Sequence, residues 1–192
     1  MPESGSAHSA MEPEPGTPAE RGSSMSTAQR WITLASAAVL VVAADQLSKM
    51  WAVKQLAPPP DGAGRVVEVV GSLRFAYAEN TGMAFSQGSE SGRWIGLVVI
   101  AVIGAMLFFA SRVRSRLTVL LLGVVIGGAL GNLIDRALRA TDGWLSGPVV
   151  DFVDLQWWPV FNIADAAVVV GGVFLVFVAT REPTGSEPDS GD

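Results

Sequence analysis

The 192 residues contain no cysteine and a single histidine, His8. The first absence excludes a disulfide framework, a cysteine nucleophile and a thiolate metal site together. The second leaves little room for imidazole as a general base or zinc ligand, because His8 stands in a stretch rich in Ser, Glu, Pro and Gly. Charge is scarce too: 16% of residues are charged and 49% are hydrophobic. Acid and base chemistry therefore falls to a few carboxylates. The net charge of -5 lies largely in the two tails, and no basic tract supports a nucleic-acid partner.

What the chain does have is long apolar runs. Four stretches, helices at about 31–49, 94–110, 117–138 and 160–180, are nearly free of charge and, with their flanks, reach the roughly 17–25 residues that cross a bilayer. The expected fold is an all-α membrane protein of four transmembrane helices, with a small extracytoplasmic β region at about 62–88 between helices 1 and 2. There Val66, Val67, Val69, Val70, Leu73, Phe75 and Tyr77 partly alternate with polar residues, between the turn signals PPPDG and NTG. Residues 1–29 and 182–192 read as disordered tails by composition, leaving 30–181 as one membrane domain.

The polar residues inside these apolar runs are few and unevenly placed. Asp45 and Lys49 stand one turn apart at the expected end of helix 1. Asn132, Asp135 and Arg136 stand at the exit of helix 3, Asn162 and Asp165 at the entry of helix 4, and Asn80 and Asp151 in the loops between. With alternating spans, all fall on one side of the membrane, opposite Arg112, Arg114 and Arg116. An acid inside an apolar helix is costly and marks function by default. Counted from Val160, Asp165 lies about 7 Å into its helix, close to the membrane surface. Gly123, Gly127 and Gly131 recur every fourth residue with Gly128 beside them, a pattern for close helix packing in lipid. The arginine cluster places its loop, and both termini, on the cytoplasmic side.

Five segments in order, DQLSK at 45–49, NTGMAF at 80–85, GGALGNLIDR at 127–136, VVDF at 149–152 and FNIAD at 161–165, resemble the lipoprotein signal peptidases, or type II signal peptidases. The resemblance spans about residues 31–180. It implies a bacterial inner-membrane aspartyl peptidase that removes the signal peptide from diacylglyceryl-modified prolipoproteins, cutting before the lipidated cysteine. It assigns the catalytic pair to Asp151 and Asp165. Supporting or substrate-binding positions fall at Asp45, Lys49, Asn80, Gly128, Asn132, Asp135, Arg136, Asn162 and Ala164. No metal or cofactor is implied; the partners are the prolipoprotein substrates and membrane lipids, and a monomer is expected. Asn162 would orient Asp165 or the peptide, and Asn132 and Arg136 would hold substrate backbone or lipid phosphate. Asp135 would pair with Arg136 or Lys49. Trp144, Trp157 and Trp158 would anchor the covering segment at the headgroups.

Three other readings compete. A small transporter or proton-conducting protein would also carry intramembrane acids, but its path would need polar groups at mid-membrane, and helix 2 has none. A magnesium-dependent head-group transferase could use Asp135, Asp151 and Asp165 as oxygen ligands. A serine protease through Ser48 and Lys49 fails on geometry, since adjacent helical residues do not face each other. Asp154 is a rival to Asp151 as the first member of the dyad.

Overall fold

The computed structural model describes residues 25–82, 90–141 and 143–181. Of the expected tails, 1–24 and 182–192 lie outside the described residues, as do Met83, Ala84 and Phe85 of the second motif, whereas residues 27–29, read as the end of the N-terminal tail, are helical. Helix α1 spans Thr27–Leu56 and opens on a capping box, in which Ser26 accepts from the Gln29 amide and Gln29 reaches back to the Ser26 amide. Ala57 and three prolines stop it. It therefore runs two turns past Lys49, where the sequence predicts its end. The reason is a second apolar face: Ala52 and Leu56 pack with Val150 and Phe152, and Trp51 meets Phe75 and Phe152 edge-on. Asp45 and Lys49 thus lie inside the helix, not in its last turn.

Strands β1 (Val66–Val70) and β2 (Leu73–Asn80) form an antiparallel hairpin closed by Gly71, whose φ of 57° is one glycine adopts without strain. The predicted β region is therefore present, but it is two-thirds of a sheet. The third strand, β3 (Val149–Asp154), pairs antiparallel with β2 and comes from the connection between the third and fourth helices. Its run VVDFVD is buried almost throughout, so it lacks the one-sided alternation that marks an exposed strand.

Helices α2 (Glu90–Ala110), α3 (Arg116–Leu138) and α4 (Ile163–Ala179) complete the bundle. Helix α3 is its axis, with α1 and α4 packed on it most extensively and α2 less so. The glycines decide this geometry. A Cβ on Gly123 or Gly127 would lie 2.5 or 2.7 Å from the Leu34 or Ala38 carbonyl of α1, and one on Gly128 would lie 2.5 Å from the Ala164 carbonyl of α4. One helix thus presents two small-residue faces, one for each neighbour. Leu34, Ile103, Ala110, Val119, Leu122 and Ile126 form the core, while Leu40, Val98, Phe108, Val169 and Val176 face outward. Outward apolar side chains in such number suit a lipid solvent.

Among the described residues three helices, α1, α2 over Arg93–Ala110 and α3, are long and apolar enough to cross a membrane; α4, at 17 residues, is apolar but shorter. It begins at Ile163, not near Val160. Val160 lies outside the helix and Phe161 is instead spent on a bridge, pairing with Val153 of β3.

Candidate active site

The site is built where the N-terminus of α4 meets β3 and the last turns of α3. Asn162 caps α4: its side chain accepts from the Asp165 amide at 2.9 Å, and Asp165 returns the contact by accepting from the Asn162 amide at 3.3 Å. Asp165 is therefore in the first helical turn, about 3 Å along the axis from Ile163. That corrects the deeper placement obtained by counting from Val160. A carboxylate there also faces the positive end of the helix dipole.

The Val153–Phe161 bridge folds β3 back beside this cap, and Gln156, at φ 66°, takes the left-handed position that lets residues 155–160 turn so tightly. The result is that Asn162 touches both acids. Its Nδ2 donates to Asp151 Oδ1 at 2.6 Å while its amide and carbonyl groups hold Asp165. Asn132 of α3 completes the arrangement, with Nδ2 donating to Asp165 Oδ1 at 2.8 Å and Oδ1 accepting from Asn162 Nδ2 at 3.1 Å. Asn80, at the end of β2, hydrogen-bonds Asp151 and also accepts from the Gly82 amide at 3.0 Å. Burial, followed by the nearby charge of Asp165, pushes the Asp151 carboxyl up to about 6, against the hydrogen bonds from Asn162 and Asn80 that favour the anion.

Behind the two acids lies a second, wholly internal layer. Lys49 and Asp45 are both 0% exposed. Lys49 Nζ meets Asp45 Oδ2 at 2.9 Å, Asp135 Oδ2 at 3.0 Å and Asn132 Oδ1 at 2.9 Å. An ammonium has three protons to give, and these are three acceptors. Asp45 Oδ1 accepts from the Ala164 amide at 3.0 Å, so α1 supplies a second carboxylate cap to α4. Asp135 Oδ2 accepts from the Val150 amide at 3.1 Å, tying α3 to the strand that carries Asp151. Ala164 is fully buried between them and leaves no room for a larger side chain, with Gly131 and Gly128 on either side.

The structure thus brings together every candidate of the sequence analysis, with some roles changed. Asp135 pairs with Lys49, one of its two expected partners, and with Arg139, at 3.2 Å, and not with Arg136. Asn132 braces the acids, its Oδ1 accepting from Lys49 and Asn162 and its Nδ2 donating one proton to Asp165. Arg136 is different: it is buried against Gly82, and its Nη1 has no hydrogen-bond partner among the described residues. Asp154, the rival of Asp151, is committed to Arg74 at 2.7 Å and to the Gln156 amide at 2.7 Å, contacts that hold its carboxyl below the usual range. Three further residues were not singled out from the sequence. Gln46 bridges Asp45 and the Gly131 carbonyl, Arg139 neutralises Asp135, and Gly147 fits where a Cβ would lie 2.6 Å from the Arg139 carbonyl carbon. Gln46 sits inside the DQLSK segment and was legible there; Gly147 carries no local signal.

Asp165 also lines two apolar clefts. One, of about 460 Å³, is bounded by Leu155, Trp157, Trp158, Phe161 and Val169. The other, of about 310 Å³, runs between α2 and α4 over α3, past Val98, Val102, Met106 and Val168 to Asn132.

A family model described as signal peptidase (SPase) II matches residues 37–181. The chain belongs to the signal peptidase II family. It is similar to lipoprotein signal peptidases of Rhodococcus jostii (strain RHA1), 40% identical over 164 residues, which are 85% of this chain and 78% of that one, and of Mycobacterium leprae (strain Br4923), 37% identical over 161 residues, 83% and 77%. Among solved structures, a bacterial membrane enzyme determined by the in meso method at 1.9 Å resolution superposes with a TM-score of 0.66 at 26% identity. That match covers 84% of this chain and 97% of the other. A signal peptidase II is an aspartic-type peptidase, a hydrolase, and the apolar helices make this one an integral membrane protein.

Proposed function

We propose that Asp151 and Asp165 are the catalytic dyad with which this peptidase removes signal peptides from diacylglyceryl-modified prolipoproteins, cutting before the lipidated cysteine. The observation that carries the reading is the sharing of Asn162: its side chain donates to the Asp151 carboxyl and its backbone amide donates to the Asp165 carboxyl, so one residue holds both acids. Two adjacent carboxyls cannot both ionise cheaply, and the pair shares a proton. The ionised member takes a proton from water as that water attacks the scissile carbonyl. The protonated member donates to the carbonyl oxygen and then to the leaving amine. The pair titrates as a unit, and the roles belong to the pair.

The two clefts that meet at Asp165 suit a substrate with two apolar parts. The signal-peptide helix would lie along the α2–α4 cleft and the acyl chains in the cleft walled by Trp157 and Trp158, both entering sideways from the bilayer. Arg136, with a buried N–H group near Asp151 that has no partner among the described residues, would donate to a substrate carbonyl or the ester oxygens of the lipid. In this reading α4 is a fourth span, both termini are cytoplasmic, the sheet and dyad lie at the extracytoplasmic face, and the exposed Trp144, Trp157 and Trp158 mark the headgroup level.

The test is cleavage of a purified diacylglyceryl prolipoprotein and its unlipidated form by the detergent-solubilised protein, each with and without EDTA. Cleavage of the lipidated form alone, unchanged by EDTA, is expected. Loss of cleavage in EDTA would replace the dyad with a metal-dependent reaction using the same carboxylates.

A further inference from the structure

The end of the bundle remote from Asp151 and Asp165 has its own cavity, of about 550 Å³, between the C-terminal ends of α2 and α4 and the N-terminal turn of α3. Its walls are apolar, including Phe109, Val113, Leu122 and Leu175, and Arg112 and Arg114 stand at its rim. Three more arginines share this end. Arg30 is drawn to the Ser111 carbonyl, Arg116 opens α3, and Arg181 stacks 4.1 Å over Phe177. Among the described residues no carboxylate stands within these turns, whereas the other end neutralises its cations with Asp45, Asp135 and Asp154. The hydroxyl of Thr118, which lines the cavity, is buried and has no hydrogen-bond partner among the described residues. The α3 N-terminus adds the positive end of a helix dipole.

We propose that this cavity binds one anionic phospholipid, with an acyl chain between α2 and α4 and the phosphate against Arg112, Arg114 and the first turn of α3. Charge complementarity selects the occupant. An arginine cluster with no carboxylate beside it among the described residues attracts anionic head groups at a membrane boundary, and a basic pocket between helix ends gives the phosphate a fixed position. Phosphatidylcholine offers the same chains and phosphate, but its quaternary ammonium would be held among arginines. The cavity lies at the opposite end from the dyad, so the proposal does not depend on the cleavage reaction.

The full chain would be reconstituted in nanodiscs of equal parts phosphatidylcholine and phosphatidylglycerol with the same acyl chains, then released in mild detergent. The lipid retained per protein is read by native mass spectrometry. Wild type should retain one phosphatidylglycerol in preference to phosphatidylcholine. Arg112→Gln/Arg114→Gln should lose that preference by about fivefold for each arginine removed, and Arg65→Gln, at the sheet end, should keep it. Equal retention of the two lipids by wild type would overturn the proposal, as would undiminished phosphatidylglycerol on the double variant.

Discussion

Lys49→Met removes the one cation of the inner layer while keeping much of its volume, and the consequences can be worked from three contacts. Lys49 Nζ loses Asp45, Asp135 and Asn132 together. Asp135 keeps the half-exposed Arg139, but Asp45 is left as a wholly buried carboxylate with no cation. Removing one partner of a buried pair costs about 3–5 kcal/mol, because the survivor's charge is uncompensated. At roughly 2–4 °C per kcal/mol for a chain of this size, the melting temperature in detergent should fall by about 6–20 °C. The cycle closes with Lys49→Met/Asp45→Leu. Removing both charges should recover most of the loss but leave about 1 kcal/mol unrecovered, because the Ala164 amide loses its acceptor. Activity should fall in both variants. Lys49 holds Asn132 with its oxygen inward and its Nδ2 toward Asp165, and without that bond the amide can turn. A single variant melting within about 2 °C of wild type would refute the reasoning, as would a double variant no more stable than the single one.

Three further outcomes follow from the same geometry. Because Asp151 is held at about 6, the singly protonated dyad is lost as pH rises through that value, and kcat/KM should decline there; Asn162→Ala removes a bond that favours the anion and should move the decline to higher pH. A carboxyl raised on folding stabilises the protein below its unfolded pKa and loses that contribution as pH rises through the folded one, so Asp151→Asn should be more stable than wild type at pH 8, by roughly 1–3 kcal/mol, and little different at pH 4 in thermal melts. Gly128→Ala should cost about 1–3 kcal/mol and depress cleavage by parting α3 from α4, whereas Gly104→Ala, with nothing within 4 Å, should melt as wild type does.

The helices were legible because lipid-facing sequence is apolar for its full length: α2 and α3 differ from their predicted spans by a few residues at most. The ends were less legible, for a tertiary reason. Met50–Leu56 reads as loop beside PPP, yet Ala52 and Leu56 find an apolar partner in β3 that lies about a hundred residues away in sequence. Phe161 reads as helix by hydropathy but bonds Val153 instead. The third strand was invisible as a strand because burial on both faces erases alternation. The site residues were legible as a set, since topology alone sends Asp45, Lys49, Asn80, Asn132, Asp135, Asp165 and their neighbours to one end. Their partners were not. Which cations Asp135 meets depends on helix rotation, which turns it to Lys49, one of its two expected partners, and to Arg139, and not to Arg136.

The central claim is that Asp151 and Asp165 act together on a lipidated substrate. It is tested most directly by cleavage of a diacylglyceryl prolipoprotein with Asp151→Asn and with Asp165→Asn, each variant first shown to be folded by its melting curve. Either substitution should abolish cleavage while the folded protein persists. Normal turnover by either folded variant would contradict the account.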